Sequence, residues 1–236
     1  MKIAAFIPAR SGSKRVKNKN IKTLGSKPLI AHTLDLITKT DIFDIKLVSS
    51  DSDDILSIVK LYKDLIPLKR PINISGEKSP DIDWVLHAIN HLKDSDIFPD
   101  VVFILRPTSP FRSEEYLVNA LKIFNNNQPA DSLRGIEKVK EHPGKMWKLN
   151  GNYIEPLINK KTDKGIPWHS SQYQSLPEFY IQNASIEIAW TKSIINTRTI
   201  SGNKIIPYIS SSIDSFDINS EIDFKNAEDL VGKIDL

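Results

Sequence analysis

The sequence predicts an α/β fold built on a parallel, doubly wound sheet. Short apolar runs typical of buried strands alternate with segments whose apolar residues recur every three or four positions, as in amphipathic helices. The 236 residues and the 40% apolar content fit one large domain, or one domain with an appendage. Ligands bind beyond the carboxyl ends of the strands in such sheets, so functional residues are expected in the loops there.

The first half of the chain has the clearest pattern. Strands are predicted at residues 3–8, 45–49 and 101–105, and helices at residues 28–39, 52–62, 79–92 and 113–124. The run from Val101 to Leu105 is the clearest strand because it is unbroken and apolar. Ser52 and Ser113 are predicted to cap the helices that follow them, and Ser79 with Pro80 is predicted to start another.

The pattern changes near residue 130. Residues 131–149 look rich in strand, whereas residues 150–180 are rich in Asn, Gly, Pro, Ser and Gln and have no clean periodicity. This indicates an excursion from the sheet rather than a second domain. Strands are predicted again at residues 185–190 and 204–209, and a last helix runs from Ser220 to Val231. Ser220 and Asp223 have the spacing of a capping box variant.

The composition excludes several classes of protein. There is no cysteine, so a disulfide scaffold, thiol catalysis and a Cys-ligated zinc site are excluded. The apolar start of the chain breaks at Pro8, which is too early for a signal peptide, and no apolar run approaches the ~20 residues that span a bilayer. A cytoplasmic protein without a membrane partner is therefore expected.

Positive charge is concentrated at the start of the chain. Residues 1–34 contain eight Lys and Arg and no acidic residue, and the first acidic residue is Asp35. The small residues Ser11, Gly12 and Ser13 would let backbone N–H groups approach an anion closely. The loop after the first strand is therefore predicted to bind phosphates, with a solvated basic loop as the alternative. It has neither the P-loop spacing nor a dinucleotide fingerprint.

Two later segments carry weaker signals. Residues 105–112 follow the clearest strand and contain Thr, Ser and two Arg, which predicts a substrate-binding edge; a proline turn is the alternative. Residues 214–221 place carboxylate and amide oxygens before a helix, where they could coordinate Mg²⁺ or only cap the helix. The five histidines show no metal-ligand spacing.

Four segments together resemble the motifs of the N-acylneuraminate cytidylyltransferase family, the CMP-sialic acid synthetases and the related CMP-nonulosonate synthetases. They are residues 7–15 with Lys19 and Asn20, residues 105–112, residues 174–177 with Asn183, and residues 216–224. The segments occur in the family's order and cover essentially the whole chain. The first is specific, and the order of the other three supports it.

The resemblance implies a Rossmann-like, GT-A-like nucleotidyltransferase with a mostly parallel sheet and helices on both faces. It implies a single domain over residues 1–236 and a homodimer, with a dimerisation excursion at about residues 134–180. The implied reaction joins CTP to a nonulosonic, sialic-type acid, giving a CMP-sugar and pyrophosphate. The implied metal is Mg²⁺, with Mn²⁺ as a substitute, and nucleic acid is not an expected partner.

The resemblance also implies roles for individual residues. Those implied in catalysis are Arg10, Lys14 and Asp217. Those implied in nucleotide binding are Ala9, Arg10, Ser11, Gly12, Ser13, Lys14, Lys19, Asn20, Arg70 and Ser79. Those implied in sugar binding are Arg106, Thr108, Ser109, Gln174 and Asn183, and the implied metal ligands are Asp217 and Asn219. No residue is identified as the general base.

Three positions depart from the family pattern. Arg106 stands where the family usually has Gln, Tyr173 where it usually has Arg, and Asn219 where it usually has a second Asp. The departures at Arg106 and Tyr173 concern the binding of the sugar, and the departure at Asn219 concerns the binding of the metal. The resemblance therefore supports cytidylyl transfer more strongly than it supports sialic acid itself as the acceptor, and the identity of the sugar acid stays open.

Two other functions remain open at this point. A uridylyl or guanylyl transferase acting on a sugar 1-phosphate typically has a longer glycine-rich first loop, which is absent here. A non-catalytic nucleotide- or nucleic-acid-binding module would need basic residues interleaved with aromatic ones, yet Phe6 is the only aromatic residue among residues 1–34.

Overall fold

The computed structural model describes residues 1–12, 15–210 and 213–233. The chain divides into two compact units, Met1–Gly135 with Asn183–Leu236, and Ile136–Gln182. The second unit falls on the segment predicted as a dimerisation excursion, and the dimer contact stays a prediction. No helix in the described part of the chain is long and apolar enough to cross a membrane. The cytoplasmic location likewise stays a prediction.

Strands and helices alternate through the first part of the chain. In chain order they are β1 (Ile3–Pro8), β2 (Thr23–Leu24), β3 (Lys27–Pro28), α1 (Leu29–Lys39), β4 (Ile45–Ser50), α2 (Asp53–Val59), β5 (Ile66–Lys69), α3 (Asp81–Asp94), β6 (Val101–Ile104) and α4 (Glu114–Asn126). The remaining elements are β7 (Ser132–Lys138), β8 (Trp147–Asn150), β9 (Tyr153–Pro156), β10 (Tyr180–Trp190), α5 (Thr191–Thr197), β11 (Ile205–Ile209) and α6 (Glu221–Val231).

Seven strands form the central sheet, in the order β11-β7-β10-β6-β1-β4-β5. β1 pairs in parallel with β4 and β6, and β4 pairs in parallel with β5. The predicted α/β class with a mostly parallel sheet is confirmed. β10 pairs with β6 in the antiparallel direction, which the alternation of strands and helices does not predict. The carboxyl ends of β1, β4, β5 and β6 lie at the same edge of the sheet.

Apolar side chains pack on both faces of the sheet. Ala5 and Ile7 of β1 lie in a cluster with buried residues of α1, α2 and α4, while Ala4 and Phe6 lie in another with α3. The predicted arrangement of helices on both faces is therefore confirmed. Burial on both faces also explains why β1 is a continuous apolar run rather than an alternating one.

A third apolar cluster joins segments that are far apart in the sequence. Its buried members are Val16, Leu24, Leu29, Phe111, Ile218, Phe224 and Ala227. They come from the first loop, the hairpin of β2 and β3, the start of α1, the loop after β6 and the region of α6. Their packing fixes the first loop against the segments that carry the other predicted site residues.

The predicted helix caps at Ser52, Ser113 and Ser220 are confirmed. Each hydroxyl accepts a hydrogen bond from the backbone N–H three residues later, and Ser220 with Asp223 forms a complete capping box. Ser79 does not cap α3: Pro80 occupies that position, without a side-chain cap.

The sequence patterns did not predict β5 and α5, nor the short strands β2, β3 and β9. β5 contains Pro67, which a central strand would not tolerate, and it lies at the edge of the sheet, where a missing N–H is acceptable. α5 is only seven residues long, so its apolar spacing is too short to indicate a helix.

Candidate functional site

A cavity of about 310 Å³ opens beyond the carboxyl ends of β1, β5 and β6, where a parallel sheet is expected to bind ligands. Pro8 ends β1, Arg70 directly follows β5, and Arg106 lies just after β6. Of the residues predicted from the sequence, six line it: Arg10, Lys19, Asn20, Arg70, Arg106 and Thr108. The fold therefore brings together residues that lie almost a hundred positions apart in the sequence.

The described wall of the cavity has an excess of positive charge. Its basic side chains are Arg10, Arg15, Lys19, Arg70 and Arg106, and its acidic side chains are Glu77 and Asp81. Arg15, Glu77 and Asp81 are not among the site residues predicted from the sequence. A concave wall of this charge concentrates polyanions such as a triphosphate.

The first loop is fixed by hydrogen bonds of its own. Asn20 is buried, and its side-chain amide donates to the carbonyl of Arg10 at 3.0 Å. The N–H of Ala9 extends the pairing of β1 with β4 by donating to Ser49 at 3.0 Å. Gly12 is exposed, and Ser13 and Lys14 lie outside the described residues.

Ser11 is bonded to a carboxylate rather than directed at the cavity. Its N–H and its hydroxyl donate to the two oxygens of Asp51, at 2.8 and 2.6 Å. Burial acts to raise the pKa of Asp51, but these hydrogen bonds hold it below its ordinary value. A phosphate would have to replace Asp51 to use either donor, and the predicted role of Ser11 in nucleotide binding stays a prediction.

Arg70 is buried and held on two sides. Its Nε and Nη2 donate to the hydroxyl and the carbonyl of Ser49, both at 3.0 Å, and its guanidinium lies 5.1 Å from the ring centre of Trp84. Burial lowers the pKa of Arg70 to about 10, against the attraction of Asp51 and Asp81, so the side chain stays charged at neutral pH. Ser79, the other residue predicted on this side, is half-buried in the turn before α3.

Lys19 joins the first loop to the segment before α6. Its Nζ donates to the carbonyl of Ile218 at 2.7 Å, and the N–H of Ile218 donates to the carbonyl of Thr108 at 2.8 Å. Burial lowers the pKa of Lys19, and the neighbouring Asp217 acts in the opposite direction. Three of the four predicted motifs are thus directly bonded to one another at this point.

A second link holds the loop after β6 to the same segment. The N–H and the hydroxyl of Ser113 both donate to Asp214 at 2.7 Å. The rings of Phe111 and Phe216 meet edge to face, with their centres 5.5 Å apart. The position of Asp217 therefore depends on the conformation of the loop that leads into α4.

The oxygens of Asp217 fit a hard cation. Oδ2 accepts a hydrogen bond from the side chain of Asn219 at 2.6 Å, and Oδ1 is buried with no hydrogen-bond partner among the described residues. No cluster of three His, Cys, Asp or Glu side chains that could hold a metal occurs in residues 1–12, 15–210 and 213–233. A cation here would have one carboxylate, so it would need oxygens of a bound phosphate to complete its ligands.

The predicted sugar-binding residues of the first unit lie in the loop after β6 and on the neighbouring strand β10. Arg106 is paired with Glu187 and Asp81, and Thr108 is half-exposed at the cavity wall. Ser109 is buried, and its hydroxyl has no partner among the described residues. Asn183 is also buried; its Oδ1 accepts from the hydroxyl of Ser185 at 2.6 Å.

Arg112 corrects the prediction that two arginines of the segment are available to a substrate. It is buried and donates to the carbonyls of Ser185 and Arg106, each at 2.7 Å, and to Thr33 at 3.0 Å. Burial lowers the pKa of Arg112 to about 10. Its hydrogen bonds hold the loop after β6 in place, because two prolines leave that loop few backbone donors of its own.

Gln174 belongs to the second unit. With Tyr173 it lines a separate cavity of about 310 Å³ in that unit. The cavity borders His142, whose Nδ1 accepts from Gly144 at 2.9 Å and whose Nε2 donates to Pro177 at 3.0 Å. Both ring nitrogens of His142 are therefore used within the unit, which gives the histidine a structural role there.

Glu187 is the most prominent site residue that was not predicted from the sequence. It is 1% exposed and lies between two fully buried isoleucines of β10. A carboxylate inside an apolar strand is costly unless it is paired, so its position in the sequence is itself a signal that partners exist. The sequence alone does not show that the partners are Arg106 and Arg134.

Comparison with known proteins gives consistent matches. The sequence model of a family described as cytidylyltransferase matches residues 4–191. The chain is 30% identical over 234 residues to CMP-N,N'-diacetyllegionaminic acid synthase of Legionella pneumophila, covering 98% of this chain and 97% of that protein. It is 29% identical over 228 residues to N-acylneuraminate cytidylyltransferase of Escherichia coli, covering 96% of this chain and 51% of that protein.

A solved structure shows the same fold. CMP:2-keto-3-deoxy-manno-octonic acid synthetase, complexed with CTP, superposes with a TM-score of 0.71 and covers 99% of both chains. The two sequences are 11% identical, so this likeness concerns the fold alone.

Proposed function

Because the chain belongs to the cytidylyltransferase family, we propose that it transfers the cytidylyl group of CTP to a nonulosonic, sialic-type acid. The predicted enzyme class, nucleotidyltransferase, is confirmed by the family match and by relatives that are named for the same reaction type. Relatives named for a legionaminic acid and for N-acylneuraminate support an acceptor of the nonulosonic class. Nothing in these matches favours uridylyl transfer, guanylyl transfer or a non-catalytic role.

The observation that carries the proposal is the basic cavity lined by residues of the first two motifs, to which the fourth motif is bonded through Lys19 and Thr108. Arg10 and Lys19 would contact the triphosphate, and Lys14 is proposed to join them from the first loop. Phosphoryl transfer depends mainly on positioning and on stabilising the charge of the transferring group and of the departing pyrophosphate. Arg70, already fixed against Ser49 and Trp84, would border the nucleotide on the cytosine side.

The reaction requires one displacement at phosphorus. The anomeric hydroxyl oxygen of the sugar acid forms a bond to the α-phosphorus of CTP. The bond from that phosphorus to the oxygen bridging the β-phosphate breaks, and its electron pair leaves on pyrophosphate. The hydroxyl also loses its proton, and we assign no residue of the chain to accept it.

A divalent cation, Mg²⁺ or its substitute Mn²⁺, is part of the proposal. Asp217 and Asn219 would hold it, because the unpartnered carboxylate oxygen and an amide oxygen suit a hard cation. When bound, the cation supplies charge neutralisation for the triphosphate and the leaving group. Lys19 and Asp217 are held near each other, so the chain's own cation and the metal ligand would face the same phosphates.

We also propose that the protein is a homodimer joined through its second unit. Large apolar side chains of the hairpin of β8 and β9 are exposed, with Leu149 at 86%, Tyr153 at 79% and Ile154 at 55%. Leu149 and Ile154 are cross-strand partners and so share one face of the hairpin, and apolar side chains exposed together on one face indicate a contact surface.

A pyrophosphate-release assay on the purified chain tests the function. CTP, UTP, GTP and ATP are compared at equal concentration, each with a panel of nonulosonic acids and with an eight-carbon 3-deoxy-2-ulosonic acid as the control acceptor. We expect turnover with CTP and at least one nonulosonic acid, because a pocket built for one base edge rejects the others. A preference for UTP or GTP, or turnover with the eight-carbon acid alone, would contradict the proposal.

A further inference from the structure

We propose that Glu187 is a positioning residue that sets acceptor specificity by fixing Arg106 in a charge-balanced cluster. Held in this way, Arg106 binds a neutral oxygen of the sugar, which is a hydroxyl or an acyl carbonyl oxygen. It does not bind the sugar carboxylate. The inference rests on the proposed cytidylyl transfer to a nonulosonic acid. It concerns which part of that acceptor meets the wall of the cavity after β6.

The Glu187 cluster consists of Asp81, Arg106, Arg134 and Glu187. One oxygen of Glu187 accepts from Nη1 of Arg106, and the other lies 2.5 Å from Nη1 of Arg134. Nη2 of Arg106 donates to Asp81 at 2.6 Å. The side chains of Glu187, Arg134 and Arg106 are 2%, 16% and 22% exposed, so solvent screens the two contacts of Glu187 little. The side chain of Asp81 is 49% exposed, so solvent screens its contact with Arg106 more.

The cluster crosses three neighbouring strands of the sheet. β10 lies between β7 and β6, and it supplies Glu187, while β7 supplies Arg134. Glu187 is paired in register with Ile104, two residues before Arg106. Arg106 and Asp81 line the cavity, whereas Glu187 does not. Glu187 can therefore act on a substrate only through Arg106.

The formal charges within the cluster cancel, since two arginines face two carboxylates. A guanidinium has five N–H donors, and the pairs with Glu187 and Asp81 occupy two of them. Arg106 can therefore still donate hydrogen bonds, while its charge is already matched by neighbouring carboxylates. Such a group suits a hydroxyl or carbonyl oxygen better than a second anion.

A purely structural role explains the cluster poorly. A buried ion pair is often no more stabilising than apolar residues of the same volume, because desolvation offsets the attraction between its charges. Removing one partner is costly, however, because the other charge remains buried and unpaired. Arg106, which replaces the family's usual Gln, and the buried Glu187 therefore depend on each other.

The test uses the 236-residue protein with CTP and its best nonulosonic acid. Glu187→Gln, Arg106→Gln and the double variant are compared for the KM of each substrate and for kcat. We expect each single change to raise the KM of the sugar acid about tenfold or more and to leave the KM of CTP within about twofold. In the double variant the KM of the sugar acid should rise less than the product of the two single effects.

The alternative, that Arg106 binds the sugar carboxylate, predicts the opposite change in the KM of the sugar acid. If Arg106 bound the sugar carboxylate, Glu187→Gln would remove a competing anion and would lower the KM of the sugar acid. An unchanged KM of the sugar acid in both single variants, with a lower melting temperature, would show a structural role only. Either result would overturn the inference.

Two further variants distinguish an effect on sugar binding from a general loss of stability. Arg106→Lys keeps the charge but cannot pair with both carboxylates through a planar fork, so it should also raise the KM of the sugar acid. Asp35→Asn breaks an ion pair with Lys27 away from the cavity, and it should lower stability without changing either KM. Turnover by the wild-type protein tests the proposed function, whereas the KM ratios test this inference, so the two failures are distinguishable.

Discussion

Three of the five cations described on the cavity wall, Lys19, Arg70 and Arg106, are held by oxygens of the protein itself. Arg70 donates to Ser49, and Lys19 donates to the carbonyl of Ile218. Burial lowers the pKa of Arg70 to about 10 and also lowers the pKa of Lys19. Donors fixed in place before the reaction need little reorganisation during it, which is the condition under which charged groups stabilise a transition state best.

A first prediction concerns the charge of the first loop. Arg10→Ala should lower kcat/KM with CTP roughly a hundredfold or more, because it removes a cation that faces the triphosphate. Lys14→Ala is expected to act similarly. Lys17→Ala is the matched control, since Lys17 is exposed and does not line the cavity, and it should change the rate little. Steady-state kinetics of the three variants measure kcat/KM with CTP. Near-normal turnover of both Arg10→Ala and Lys14→Ala would show that the loop is a solvated surface.

A second prediction concerns the metal ligands. Asp217→Asn should be nearly inactive, because it removes the carboxylate proposed to hold the cation. Asn219→Asp should lower the Mg²⁺ concentration needed for half-maximal rate, because it adds a charged ligand. Both outcomes are read from Mg²⁺ titrations of pyrophosphate release, after chelation has abolished the activity of the wild-type protein.

The capping box supplies the control for the metal variants. Asp223→Asn alters a carboxylate that accepts hydrogen bonds from Asn219 and Ser220 at the start of α6. It should destabilise the helix by about 1 kcal/mol and leave the Mg²⁺ dependence unchanged. If Asp217→Asn and Asn219→Asp also left the Mg²⁺ dependence unchanged, residues 214–221 would have only the capping role.

At the scale of elements, the residues at the start of α4 also contact two other segments of the chain. Ser113 caps the helix through Tyr116, and the same hydroxyl donates to Asp214. Arg112, directly before it, is buried against β10 and against the loop after β6. The helix start therefore fixes two segments that carry predicted site residues.

A third prediction compares two helix caps. Ser52→Ala should lower the free energy of unfolding by about 1 kcal/mol, because it removes one capping hydrogen bond from α2. Ser113→Ala should lower it more and should also reduce kcat/KM, because the variant loses the link to Asp214 as well as the cap. Urea denaturation and the pyrophosphate assay measure the two effects. Equal losses of stability, with unchanged activity in both variants, would show that the link to Asp214 does not position the site.

At the scale of the whole molecule, each of the two compact units has its own surface feature. The basic cavity belongs to the first unit. The hairpin of β8 and β9 belongs to the second unit and exposes Leu149 and Tyr153. A second copy of the chain would cover these side chains in the proposed homodimer.

A fourth prediction tests that assembly. Leu149→Asp should convert a dimer into a monomer at micromolar concentration, because it places a charge in an apolar contact surface. Leu61→Asp is the matched control: Leu61 is 81% exposed but lies in the first unit, so its change should leave the mass unaltered. Light scattering coupled to size-exclusion chromatography measures both. A monomeric wild-type protein, or a dimeric Leu149→Asp variant, would exclude the hairpin as the contact.

The sequence by itself determined the features that depend on near neighbours. Alternating strand and helix patterns gave the α/β class, and Ser52, Ser113 and Ser220 marked helix starts, because each cap involves residues only three positions apart. The concentration of positive charge in residues 1–34 was likewise visible without a structure. The four motifs, taken in order, indicated the cytidylyltransferase family before any of them had a position in space.

Only the tertiary structure decided which distant segments meet. It placed β10 antiparallel beside β6, and it joined Lys19 to Ile218 across 199 positions of the sequence. It also paired Glu187 with Arg106 and removed Arg112 from the candidate site by burying it. Contacts of this kind form because the whole sheet and its helices bury their apolar faces together. The two partners of such a contact share no local pattern that could mark them in the sequence.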